Sequence, residues 1–156
     1  MKGMAMKRRL LVTIGLALVM AAVALAADDP FVGTWKLNIG KSKLSGLTPP
    51  RSSTLVTKAT DNGLQEINDS VDVNGQAHHG DRSYIADGKD HPVTGNPTVD
   101  AYNLTRIPPH TTVYVVKKGT EEIAKWRNTV SKDGKTLTRV LIQGQNSGRT
   151  LIYDKQ

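Results

Sequence analysis

The chain has 156 residues, 21 Lys and Arg against 14 Asp and Glu for a formal net charge of +7, no cysteine and 4% aromatic residues. The length predicts one domain. The lack of cysteine excludes a disulfide framework, a thiol nucleophile, a Cys-ligated metal site and a lipid-modified N-terminal cysteine, while the charge raises a nucleic-acid or anionic-membrane partner that its position must support.

Lys2, Lys7, Arg8 and Arg9 open the chain, and 10–27 follows without a charge. Ala24-Leu25-Ala26 then sets small residues at −3 and −1 of a cleavage site, before Ala27-Asp28-Asp29-Pro30. Basic, apolar and small-residue regions in that order predict a helical bacterial Sec-type signal peptide over 1–26, cleaved near Ala26. They leave a single domain over 27–156, periplasmic or secreted, that meets a membrane only through the signal before cleavage. The competing reading is an uncleaved anchor, because the apolar run is close to the shortest spanning length; the thinning into alanines favours cleavage. Removing the signal leaves 17 cations against 14 carboxylates and takes away all four methionines. The nucleic-acid reading falls with that charge. The remaining aromatics are too sparse for a base-stacking sheet, and Lys117-Lys118 is balanced by Glu121-Glu122.

The rest of the chain has no helical period. β-branched runs alternate with Asn62-Gly63, Asn74-Gly75, Asp87-Gly88 and Asp133-Gly134, dipeptides that tolerate positive φ and signal hairpins. Strands are predicted over 33–38, 52–60, 64–73, 77–86, 99–107, 111–118, 121–131, 135–143 and 149–154. Segment 38–51, with Pro49-Pro50, reads as a loop or one short helical turn. Stretch 87–98, with His91-Pro92 and Asn96-Pro97, reads as a long connection that proline keeps out of a central strand. Short strands joined by tight turns predict an all-β, antiparallel up-and-down meander of about eight to ten strands, closed into a barrel to remove its edges. Along 121–131, Ala124, Trp126 and Val130 oppose Lys125 and Arg127; along 135–143, Leu137 and Leu141 share a face with Arg139.

Phe31-Val32-Gly33-Thr34-Trp35-Lys36-Leu37 resembles the opening of the lipocalin and fatty-acid-binding superfamily, with Gly33-Thr34-Trp35 as its Gly-x-Trp. Arg149-Thr150-Leu151-Ile152-Tyr153-Asp154-Lys155 resembles the last strand of the fatty-acid-binding branch. With the blocks 87–97 and 131–136, the whole mature chain is similar to uncharacterised bacterial exported lipocalin-like proteins. The resemblance implies a barrel with a central cavity. It also implies a structural closure by Gly33 and Trp35, with Trp35 packed against Arg149 in a cation–π contact. The carboxylate clamp of the fatty-acid binders does not carry over, because Leu151 stands where its arginine would be, two residues before Tyr153. The two-helix lid has no room in 38–51.

Candidate ligand-binding residues are Arg127 and Arg139, on late strands, with Tyr102, Tyr114 and Tyr153. Pointing inward, they give fixed donors for an anionic or polar-headed small molecule; pointing outward, they are ordinary surface groups. Trp126 fits a core position better than a ligand platform. His78-His79 lie side by side on one strand, where neighbours face opposite ways. No metal site, no cofactor and no catalytic residue is therefore expected, and no nucleophile elbow, phosphate loop or zinc motif occurs. The expectation is an exported protein that binds a small lipophilic or amphiphilic molecule without catalysing a reaction. The alternative is a filled barrel acting as a cell-envelope structural or interaction module.

Overall fold

The computed structural model describes residues 29–156. The expected signal helix and its cleavage site lie outside them. The described chain is all-β, with ten antiparallel strands in one up-and-down sheet that curls into a nearly closed barrel. They are β1 (Gly33–Leu37), β2 (Ser52–Thr60), β3 (Gly63–Val71), β4 (Ala77–Ile85), β5 (Asp90–Pro92), β6 (Ala101–Ile107), β7 (Thr111–Lys118), β8 (Glu121–Val130), β9 (Thr136–Gly144) and β10 (Thr150–Lys155). The first and last strands pair, Trp35 opposite Lys155 and Leu37 opposite Tyr153. The short helical turn expected in 38–51 is a 3-10 turn at Ile39–Lys41, capped by the Asn38 side chain.

Two expectations change. Stretch 87–98 contains a strand, β5, paired only with β6. Its proline is tolerated because β5 lies at the end of the sheet, where a missing N–H breaks no ladder. The Asn62-Gly63 signal also shifts by one residue: the turn is Asp61-Asn62, and Gly63 already belongs to β3. A Cβ on Gly63 would run into the Tyr84 carbonyl oxygen of β4, so the glycine serves close strand approach rather than positive φ. Gly75 and Gly134 do take positive φ in their turns.

Strand alternation sorts the side chains. One end of the barrel is filled by Phe31, Leu64, Leu104, Val130 and Leu137, all buried. Trp35 is fully buried, and its indole N–H donates to the Phe31 carbonyl at 2.9 Å. That bond and the Asp29–Arg106 ion pair at 2.6 Å hold the entering segment against the barrel base. Trp35 takes its cation from Lys155, whose ammonium lies 4.9 Å from the ring centroid. The Arg149 partner implied by the resemblance is thus corrected. Lys155 is opposite Trp35 in the β1–β10 register, whereas Arg149 precedes β10 and sits 4.9 Å from the Trp126 ring.

The barrel seam lies between β4 and β6, which share no ladder. Tyr102 spans it. Its hydroxyl donates to the Ser83 carbonyl at 3.0 Å and accepts from the Ile85 N–H at 3.4 Å. Tyr102→Phe is expected to lower unfolding free energy by about 1 kcal/mol, the net worth of such a bond, and to speed hydrogen exchange at the Ile85 amide. Unchanged exchange there would mean that the seam is held by other contacts.

Candidate functional site

Above the filled end, the barrel holds an open cavity of about 370 Å³. Leu55, Tyr84, Tyr114, Trp126, Leu151 and Tyr153 form its apolar and aromatic wall. Asn68 and Ser70 of β3, with His78, Gly80 and Arg82 of β4, form a polar mouth. Glu66 and Arg139 lie at its floor, and both also line a residual gap of about 10 Å³ on the filled side. Register explains why β3 and β4 share the mouth. Glu66, Asn68 and Ser70 stand opposite Arg82, Gly80 and His78, so all six project to one face. Gly80 puts no side chain there, and a Cβ on it would meet nothing within 4 Å.

Arg139 organises the floor. Its Nη1 is 3.6 Å from the Glu66 carboxylate, and both side chains are largely buried, 16% and 18% exposed. The Arg139 Nε donates to Asn128 Oδ1 at 3.1 Å, and Asn128 Nδ2 donates to the buried Thr112 hydroxyl at 3.2 Å. Burial opposes the Arg139 charge, but the Glu66 carboxylate, with smaller contributions from the Tyr153, Tyr84 and Tyr114 phenols, outweighs it and holds the guanidinium above its ordinary pKa. Tyr84 packs edge-on against Tyr102 and Tyr114, each at 5.1 Å between centroids. Such pairs add about 0.5–1.5 kcal/mol beyond area burial. Burial first, then the Glu66 charge, pushes the Tyr84 phenol well above its ordinary value, and burial does the same to Tyr114.

Of the five ligand-binding candidates, Tyr114, Arg139 and Tyr153 line the cavity. Tyr102 faces inward but spends its hydroxyl on the seam. Arg127 is corrected to the outside: it is exposed, opposite Val113 and Val140, while its neighbours Trp126 and Asn128 face in. Trp126 lines the cavity and carries Arg149 on its ring. Burial pushes the Arg149 guanidinium down, and its Nε has no hydrogen-bond partner among the described residues. His78 and His79 bond Asp72 at 3.2 Å and Asp69 at 2.6 Å respectively. Sequence reasoning missed Glu66, Asn68, Gly80, Arg82, Thr112 and Asn128. The alternation of Leu64 with Glu66, Asn68 and Ser70 was the available signal, since it sets a carboxylate on the face that starts with a core leucine.

Neither the models of known protein families nor the curated proteins contain a match to this chain.

The buried phenols set a pH dependence. Unfolded tyrosine loses its proton near pH 10, whereas folded Tyr84 holds it to higher pH. The unfolded state therefore binds fewer protons there, and stability falls as pH rises above about 10, by up to about 1.4 kcal/mol per pH unit per phenol. Urea midpoints measured from pH 8 to 11 are expected to fall along this limb, and Tyr84→Phe is expected to flatten it. An equally steep limb in the variant would remove Tyr84 as its source.

Proposed function

We propose that the chain is an exported lipocalin-like protein that binds a small lipophilic or amphiphilic molecule in the barrel and catalyses no reaction. The cavity carries this reading: about 370 Å³ lined by Leu55, Leu151, Trp126 and three tyrosines falls within the size range of small-molecule sites. Two of its polar groups, Arg139 and Glu66, are held at the floor by a hydrogen bond to Asn128 and by their own ion pair, and further polar side chains of β3 and β4 ring the mouth. The opening block around Gly33-Thr34-Trp35, the meander order and the basic-apolar-small N-terminus support the family and export parts of the proposal.

The filled half of the barrel favours the second reading, a structural or interaction module of the cell envelope. The two readings part on one observable. Native mass spectrometry of protein from its own host is expected to show a co-purified mass, and a neutral naphthylamine dye is expected to brighten on binding. Gly80→Phe is expected to abolish dye binding with the fold intact, because the new ring enters open space at the mouth. A chain that carries no ligand and leaves the dye dark belongs to the second reading.

A further inference from the structure

The two edges of the sheet differ. β5 has three residues, one of them Pro92, and offers little to an added strand. β4 has nine, without lysine, proline or a register break, and all but Gly80, Tyr84 and Ile85 are exposed. Its main-chain groups alternate between β3 and the seam. The Asp72 N–H bonds the Gln76 carbonyl and the Ala86 N–H bonds the Asn62 carbonyl, each at 2.9 Å. These bonds fix the phase of the ladder, so Ala77, His79, Asp81, Ser83 and Ile85 turn their N–H and C=O groups away from β3. Tyr102 answers the end of that row, at the Ser83 carbonyl and the Ile85 N–H. The groups of Ala77, His79 and Asp81 have no strand partner among the described residues.

Charge selects what fits this edge. An added strand must set outward residues opposite outward residues, which leaves few antiparallel registers for a second β4. A two-fold axis at Gly80 places His79 opposite the partner's Asp81 and, by symmetry, Asp81 opposite the partner's His79. An axis at His79 sets two imidazoles against each other, one at Asp81 sets two carboxylates against each other, and one at His78 leaves Asp81 beyond the ladder. His79 bonds Asp69 through Nδ1 at 2.6 Å, which leaves Nε2 for a second carboxylate; an imidazolium donates from both nitrogens. Asp81 takes the Gln65 side-chain amide at 3.0 and 3.2 Å, and no cation lies within ion-pair distance of it among the described residues. On the other face of β4, His78 stands opposite the partner's Arg82, and the Asp72 carboxylate bonded to His78 at 3.2 Å answers both charges.

We propose that a second copy of this chain docks on the β4 edge, antiparallel and two-fold about Gly80, so that the sheet of one barrel continues into the next. The two cavity mouths, each bordered by β4, then lie beside the shared strands. The pairing needs no ligand, so it stands or falls apart from the small-molecule reading.

The chain contains no cysteine, so an introduced thiol is unique. Gly80→Cys sits on the proposed axis, in a pair without mutual hydrogen bonds whose Cα atoms are about 4.5 Å apart, close enough for a disulfide. Its Cβ meets nothing within 4 Å in the monomer. Mild oxidation is expected to give a covalent dimer from Gly80→Cys and none from His78→Cys, whose own copy lies four positions away, about 13 Å. In sedimentation near pH 6, where imidazolium is populated, the unsubstituted protein is expected to pass from monomer to dimer as concentration rises. His79→Pro removes an N–H that points away from β3, so it is expected to stay monomeric with an unchanged thermal midpoint. Asp81→Lys, which leaves the backbone alone, is expected to weaken the dimer about tenfold through its two lost pairs. A protein that remains monomeric at millimolar concentration overturns the second copy as occupant and leaves the edge to an extended peptide of another protein. A dimer that survives Asp81→Lys at full strength, or that crosslinks through His78→Cys and not through Gly80→Cys, overturns the proposed edge and register.

Discussion

A guanidinium inside a β-barrel has to be answered, and Arg139 is answered from three strands at once. Asn128 of β8 takes its Nε–H, Thr112 of β7 supports Asn128, and Glu66 of β3 supplies the countercharge. An unpaired charge at that depth would cost several kcal/mol, so these groups hold one another in place. Two strands that share no ladder, β3 and β9, are thereby tied across the barrel. This polar layer sets the boundary between the two halves. On one side Phe31, Leu64 and Leu104 close around a gap of about 10 Å³. On the other the wall stands back from a cavity of about 370 Å³.

The low aromatic content takes its meaning from that division. Seven aromatic residues cannot fill a barrel of ten strands. Phe31 and Trp35 are spent on the base. Tyr84, Tyr102 and Tyr114 form one cluster at the seam, which stiffens the side where the hydrogen-bonded ladder is missing. Tyr153 joins that wall from β10, and Trp126 stands toward the open side under Arg149. A slender barrel therefore still keeps a cavity, because its large side chains gather at one end and along one seam.

Local physics made the meander legible. Turn dipeptides and β-branched runs mark strand ends through φ and χ1 preferences that act within a few residues, and 52–60 and 111–118 have the same limits in sequence and structure. Alternation also set Arg139 on the face of Leu137 and Leu141, and Arg127 on the opposite face from Trp126. What local reasoning could not supply was pairing at long range. The Glu66–Arg139 contact, the Arg149–Trp126 stacking and the Lys155–Trp35 stacking depend on how β1, β3, β8, β9 and β10 are brought together. β5 was hidden because its proline argues against a strand unless the strand is already known to lie at the sheet's end.

The division of the barrel by the Arg139 layer is tested most directly by methyl NMR of leucine-labelled protein titrated with octanol, a small neutral amphiphile. Shifts are expected at the Leu55 and Leu151 methyls, which line the open half, and none at Leu64 and Leu104, which lie on the filled side. Equal shifts at Leu64 and Leu104, or a titration that moves no leucine methyl, would contradict it.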